Sequence, residues 1–306
     1  MRRKFDIFCL FVLVASVVSC GGHSAPAPET RHFPEVRIPS VHTDREERIE
    51  YLLDHYWDDF SGVPMDEIEV ALSNFIGILD NVPLSESQKA VTRMFDRICK
   101  AEQADTSAHY YALMTQMVSK YLYDPNSPLR NEDYYLPFVR LMAESPLTPE
   151  DMRAAYRYEA ESCAICQCGT VAPDFKMRTA AGRTLNLYDV KAEYIMLFFS
   201  NPGCAACKEI IDEVMGVPEM VDRVNSGAVA VVNVYIDEDL AAWREYEPNY
   251  PESWISCYDV FRTIRNERLY DVRAIPSLYL LDADKTILLK DAPTQKVINR
   301  ILNQIP

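Results

Sequence analysis

The stretch "FFSNPGCAACKEII" sets Cys204 and Cys207 two residues apart, directly after an apolar run. Two thiols at that spacing have three uses: disulfide exchange, two of the ligands of a metal, or a small stabilising disulfide. A structural zinc takes four ligands. The other Cys-x-x-Cys, Cys163 with Cys166, ends 38 positions ahead of Cys204 rather than at a familiar zinc spacing, and no His pair stands at one, so no metal and no cofactor is assigned. Exchange needs a thiolate, and a free thiol titrates near about 8.5. At a helix N-terminus the unpaired N–H groups and the dipole favour negative charge, so a Cys204 that opens a helix is activated. Cys207 then lies one turn deeper on the same side, placed to attack a mixed disulfide formed at Cys204. Pro202 and Gly203 suit a tight passage into that helix, and Lys208 adds a positive charge nearby.

Whether thiols pair depends on compartment. The chain opens "MRRKFDIFCLFVLVASVVSCGG": a basic start, then an apolar run from Ile7 to Val18. That run is short of the roughly 20 residues of a membrane-spanning helix and has the shape of a secretory signal over residues 1–19. Its end, "VVSC", resembles a bacterial lipobox, which implies a lipid on Cys20 and a flexible tether over 20–42; ordinary signal cleavage nearby is the alternative. An exported protein sits where disulfides persist. Three bases and one acid leave with the signal, taking the net charge from −15 to −17. Such acidity argues against nucleic acid or anionic lipid as partners. Of nine cysteines, Cys9 leaves and Cys20 takes the lipid; the other seven are an odd number, so one stays unpaired in a monomer.

The remaining 287 or so residues suggest two domains. From Thr43 to Cys168 the pattern is helical. Capping boxes are read at Thr43 with Glu46 and at Ser85 with Gln88. Apolar rows run through Ile49, Leu52, Leu53 and Tyr56, through Ile68, Leu72, Phe75 and Leu79, and through Val91, Phe95 and Ile98. A fourth helix is expected through Leu113, Met117 and Tyr121. A fifth starts again near Pro137, and a sixth has Thr148 as cap and Pro149 at its first position. Cys163 and Cys166 then share a helix face, with Cys168 beyond them. They suit a second redox pair, a relay to Cys204, a metal site with Cys257, or simply a crowded helix end. Cys99 and Cys257 read as packing thiols. His23, His32 and His42 read as solvated tether residues, and His55 and His109 as structural helix residues. The Tyr and Met residues of this half read as core or groove lining.

From about Gly169 strands alternate with helices: "YIMLFFS", "AVAVVNVYID", "SLYLLDA", a "DADK" turn, "TILLK" and a closing helix "TQKVINRILNQI", with another helix from Tyr258 to Arg268. That order indicates an α/β sheet covered by helices.

Over about 135 residues from Val171, this half resembles the thioredoxin superfamily, in its exported, membrane-tethered TlpA/ResA-like branch. The likeness rests on Cys204 and Cys207 after "YIMLFFS", on "AIPSLYLLDADKTI" with Pro276 in the place of the family's cis-proline, and on the entry hairpin "APDFKMRTAAGRTLNLYDV". Six helices before such a domain further resemble lipoproteins of the Bacteroidetes type. The resemblance implies an α/β thioredoxin-like domain over 169–306 after an all-α domain over 43–168. It also implies an exported, membrane-tethered thiol–disulfide oxidoreductase, with Cys204 attacking, Cys207 resolving and Pro276 shaping the substrate site. With the lipid on Cys20 and no acidic run directly after it, the expected place is the outer membrane, facing the periplasm. The partners are then protein thiols or disulfides, an electron donor, and the membrane through the anchor. Two departures stand out: "SNPG" replaces the Trp common before the first cysteine, and the strand carries no buried acid, leaving Asp237 as a stand-in proton acceptor. Peroxidatic relatives place Thr three residues before the reactive cysteine, where this chain has Asn201. A redox-inactive scaffold whose helical domain binds an envelope partner is the other alternative.

Overall fold

The computed structural model of the chain describes residues 31–304; the signal, Cys20 and the tether up to residue 30 lie outside the described residues. The N-terminal unit is six helices: α1 (Arg45–His55), α2 (Met65–Leu79), α3 (Leu84–Ala104), α4 (Tyr110–Leu122), α5 (Glu132–Glu144) and α6 (Glu150–Cys163). Their expected apolar rows form one core: Ile68, Leu72, Phe75, Leu79, Val91, Phe95 and Ile98 are all buried. Each such side chain stabilises by roughly 1.5–3 kcal/mol through removal from water.

Helix ends depart from the sequence reading by short steps with local causes. Asp44, not Thr43, caps α1, its Oδ2 accepting from Glu46 N at 2.8 Å. A carboxylate both accepts and complements the dipole there. Ser85 lies inside the first turn of α3, which Pro83 precedes, and makes no cap. α5 runs unbroken through Pro137. Proline removes the N–H that would bond Asp133 O, four residues back, and Gln88 Nε2 of α3 donates to that carbonyl at 3.0 Å. Pro149 occupies the cap of α6, while the Thr148 hydroxyl turns inward to Met142 O at 2.6 Å. On α4 the buried face contains Tyr110, Met114, Met117, Val118 and Leu122, and Leu113 is exposed. His109 is not helical; it is a left-handed residue, φ 54°, ahead of α4. Residues 31–42 form no helix or strand, yet they are docked in part rather than free. Arg31 Nη1 donates to Ser61 O at 2.6 Å, and the Phe33 ring lies 5.3 Å from Tyr56 and 5.5 Å from Trp57.

The second unit contains β1 (Lys176–Thr179), β2 (Thr184–Asn186), β3 (Tyr194–Phe199), α7 (Ala205–Met215), α8 (Pro218–Ser226), β4 (Val229–Tyr235) and α9 (Leu240–Tyr246). It continues with β5 (Ile255–Asp259), α10 (Thr263–Asn266), β6 (Ser277–Asp282), β7 (Ile287–Leu289) and α11 (Thr294–Gln304). The seven strands form one sheet in the order β2-β1-β5-β4-β3-β6-β7. β3, β4 and β5 are parallel and the outer pairings antiparallel. The helix expected from Tyr258 to Arg268 is only α10; Tyr258 lies in β5, where it pairs with Arg178 and Tyr235. Alternation along β3 sends Ile195, Leu197 and Phe199 to one face, and Met196 and Phe198 to the face covered by α7, α8 and α11.

Candidate functional site

The central strand β3 delivers the candidate pair. Its last residue, Phe199, pairs with Val234 of β4 on one side and with Ser277 of β6 on the other. The chain therefore leaves β3 at the same end of the sheet where β6 begins, immediately after a cis Ile275–Pro276 bond. Ser200 to Gly203 turn into α7, and Gly203 adopts φ 70°, a left-handed conformation that glycine takes without steric cost. Cys204 is the N-cap of α7, and its Sγ accepts from Cys207 N at 3.1 Å. The two sulfurs are bonded to each other, with Cα atoms 5.2 Å apart, inside the ordinary disulfide span. Cys204 is half-buried, whereas Cys207 is 2 % exposed and packed with Met196, Phe198 and Val214. An outside sulfur thus meets Cys204, and Cys207 is reached only through it.

The surroundings revise two expectations. Lys208 points its ammonium to Asp212, 2.5 Å away and one turn on, so its charge is shared along the surface of α7. Asp237 is not free to serve a sulfur: Oδ2 accepts from Asn201 Nδ2 at 2.6 Å, and Oδ1 pairs with Arg265. Instead of an acid, a neutral polar group lies under the loop. Ser200 Oγ donates to Asn233 Oδ1 at 2.5 Å and lies 3.3 Å from the Tyr250 hydroxyl, all three residues being buried. Asn233 stands opposite Phe198, the neighbour of Cys207 in the core. A polar residue inside "AVAVVNVYID" was the sequence signal for it. Burial raises the Tyr250 hydroxyl above its ordinary value, so it stays protonated, while its bonds to Ser200 and Asn233 act the other way.

Residues 15–163 match a family described as a domain of unknown function, DUF5106, and residues 168–290 match the AhpC/TSA family. A thioredoxin-like protein from Bacteroides caccae is 36% identical, over 90% of this chain and 99% of its own, with a TM-score of 0.75. The chain belongs to this thioredoxin-like family. The C-terminal domain of an uncharacterized protein from Bacteroides fragilis is 40% identical over 45% of this chain and 99% of its own, with a TM-score of 0.44. The thioredoxin domain of a thiol–disulfide oxidoreductase from Bacteroides vulgatus is 17% identical over 46% and 99%, with a TM-score of 0.41. No curated protein matches the chain. The architecture is thus a helical region over residues 45–163 followed by a thioredoxin-like mixed sheet domain.

The other thiols of this thioredoxin-like protein stand apart from the pair. Cys163 ends α6, but Cys166 has left the helix with φ 55°, so the two do not share a helix face, and neither is bonded. Cys166 Sγ donates to Leu269 O at 3.1 Å. Cys257 sits in β5, its Sγ donating to Met177 Sδ at 3.3 Å in the sheet core, packed as expected and not gathered into a metal site with Cys163, Cys166 and Cys168. Among the described residues no group of three or more His, Cys, Asp or Glu is arranged to hold a metal. Burial raises the Cys99 thiol to about 11 and Cys166 to about 12, and pushes Cys163, Cys168 and Cys257 upward as well. These thiols stay protonated and poorly nucleophilic at neutral pH. Sequence reasoning missed the charges between the two units, buried Glu132 and Lys290 and half-buried Arg273, because no local pattern announces partners this far apart in the chain.

Proposed function

We propose that this protein is an exported, lipid-anchored thiol–disulfide oxidoreductase that acts on disulfides of other proteins through Cys204 and Cys207. The observation that carries the reading is the placement of a half-buried sulfur at a helix N-terminus, bonded to a fully buried one, at the end of the sheet where Pro276 precedes β6. In the reduced enzyme the Cys204 thiolate keeps the Cys207 N–H as a donor and gains from the helix dipole. It attacks one sulfur of a substrate disulfide; that S–S bond breaks, a mixed disulfide forms at Cys204, and the released substrate thiolate takes a proton. Cys207 then loses its proton and attacks Cys204 Sγ, which frees the second substrate thiol and restores the Cys204–Cys207 disulfide. Two electrons pass to the substrate, and an external dithiol donor returns them. The direction, reduction of substrates, follows from the resemblance to the TlpA/ResA-like branch. Lipidation at Cys20 and a periplasmic face rest on "VVSC" and on a tether without an acidic run after it. Asn201 in place of the peroxidatic Thr argues against a peroxidase.

The test is the alkylation rate of Cys204 against pH, on reduced protein lacking residues 1–20, together with reduction of insulin. Half-maximal rate well below about pH 8.5, the free-thiol value, supports exchange. Cys204→Ser then abolishes insulin reduction, and Cys207→Ser accumulates a mixed disulfide. A rate that rises only near that pH or higher, with no insulin reduction, rejects the enzyme in favour of a scaffold whose helical domain binds a partner.

A further inference from the structure

Residues 270–276, which end in Pro276, form neither helix nor strand and, among the described residues, make no backbone-to-backbone hydrogen bond. Side chains hold this segment instead. Tyr270 is buried and its hydroxyl donates to Pro173 O at 2.7 Å. Three residues before Pro276, Arg273 reaches out of its own domain. Its Nε and Nη2 donate to Glu132 Oε1, the first residue of α5, at 2.9 and 2.5 Å. Its Nη1 donates to Tyr123 O at 2.8 Å, and the guanidinium lies 3.9 Å from the Tyr123 ring centroid. A planar fork clamped on two edges and one face has little freedom, unlike a lysine on a flexible stem. Glu132 is itself immobilised: it is 3 % exposed, and Lys290 Nζ lies 2.6 Å from its other oxygen. A buried carboxylate survives only while it is paired. Three residues span at most about 11 Å, so a displacement at Arg273 is felt at Pro276.

We propose that the helical domain supports the substrate loop of the adjoining site: Glu132, acting through Arg273, positions residues 270–276 and so sets how a protein substrate meets Cys204. The inference deepens the oxidoreductase reading, and for the activity it rests on that reading. It gives the helical domain a positioning role in recognition. Because Cys204 and Cys207 are carried by β3 and α7, the reactivity of the sulfur itself does not depend on this contact. A small reagent that needs no loop to lie against reports the sulfur alone; a folded or extended polypeptide reports the loop as well.

The experiment compares Arg273→Lys and Glu132→Gln with the unaltered protein, each as the complete mature chain. Three quantities are read: KM and kcat for insulin reduction, the iodoacetamide rate of reduced Cys204, and amide hydrogen exchange at 270–279 and at 195–199. The expected result for Arg273→Lys is a KM for insulin raised by about fivefold or more, with the iodoacetamide rate within about twofold. Exchange rises at 270–279 and not at 195–199. An unchanged insulin KM overturns the proposal, as does an equal fall in insulin and iodoacetamide reactivity, which signals general destabilisation. Should Glu132→Gln fail to fold, Arg273→Lys decides, since it keeps a cation against Glu132. Absence of insulin reduction in the unaltered protein rejects the oxidoreductase reading alone; hydrogen exchange then judges the loop, and no change at 270–279 overturns its support by Arg273.

Discussion

Replacing Lys290 by Met tests how strongly the two units are joined. Lys290 follows β7, and its ammonium is buried against the end of the helical unit. It lies 2.6 Å from Glu132 Oε2, an ion pair rather than an aligned hydrogen bond. It also donates to Cys163 O at 3.0 Å, a carbonyl that α6 leaves open at its C-terminus, and to Ile165 O at 2.5 Å just beyond the helix. Burial opposes the charged form, but Glu132 outweighs it and holds the ammonium above its ordinary value, so it is charged at pH 7. Methionine keeps the stem and loses the charge. Removing one partner of a buried pair costs about 3–5 kcal/mol. Arg273 still faces Glu132 through Oε1, which places the loss near the lower end, about 3 kcal/mol. For units of this size that is a fall in Tm of roughly 6–12 °C. The assay is urea and thermal unfolding by far-UV circular dichroism at pH 7. Lys296→Met, whose exposed pair with Asp80 is worth about 0–1 kcal/mol, is the control. The double variant Glu132→Gln/Lys290→Met should lose less than the sum of the single losses, because it leaves no unpaired carboxylate. A Lys290→Met loss under about 1 kcal/mol, or strict additivity in the double variant, refutes the buried-pair account.

Asp291, at the same junction, has its carboxyl raised to about 6 by burial, against the lowering effect of Arg130. Between the unfolded value near 3.8 and about 6 the folded state binds the extra proton, so stability should fall as pH rises through that window, by on the order of 3 kcal/mol in all. Urea midpoints at pH 4.5 and 7 read this slope, and Asp291→Asn should flatten it; an unchanged slope in the variant disproves the assignment. The free thiols give a further check. In oxidised protein lacking residues 1–20, a thiol reagent at pH 8 should label Cys99, Cys163, Cys166, Cys168 and Cys257 slowly, and all five quickly in urea. Fast native labelling of Cys166 or Cys168 would revive a second redox pair at the junction.

Much of the site was legible along the chain because its parts are local. A Cys-x-x-Cys directly after an apolar strand run needs only the next helix to acquire its dipole, and Cys204 is indeed the cap of α7. The helical rows through Ile68 to Leu79 and Val91 to Ile98 are equally local, since a fixed period dictates one buried face. Where reading failed, a distant partner had intervened. Pro137 should have interrupted α5, but Gln88, 45 residues earlier, satisfies the carbonyl it frees. The Tyr258–Arg268 stretch looked helical, but β1 and β4 draw its start into the sheet. Cys163 and Cys166 looked like neighbours on one helix until the chain turned at Cys166.

By itself, then, the sequence determined the order of elements, the candidate cysteine pair and the place of Pro276, all set by spacing within a few residues. Only the tertiary structure decided which charges are buried and with whom. Glu132 and Arg273 are 141 residues apart, and neither is distinguishable in the sequence from a solvated surface charge. Docking of the two units buries Glu132 and half-buries Arg273, and a carboxylate without water must find a cation.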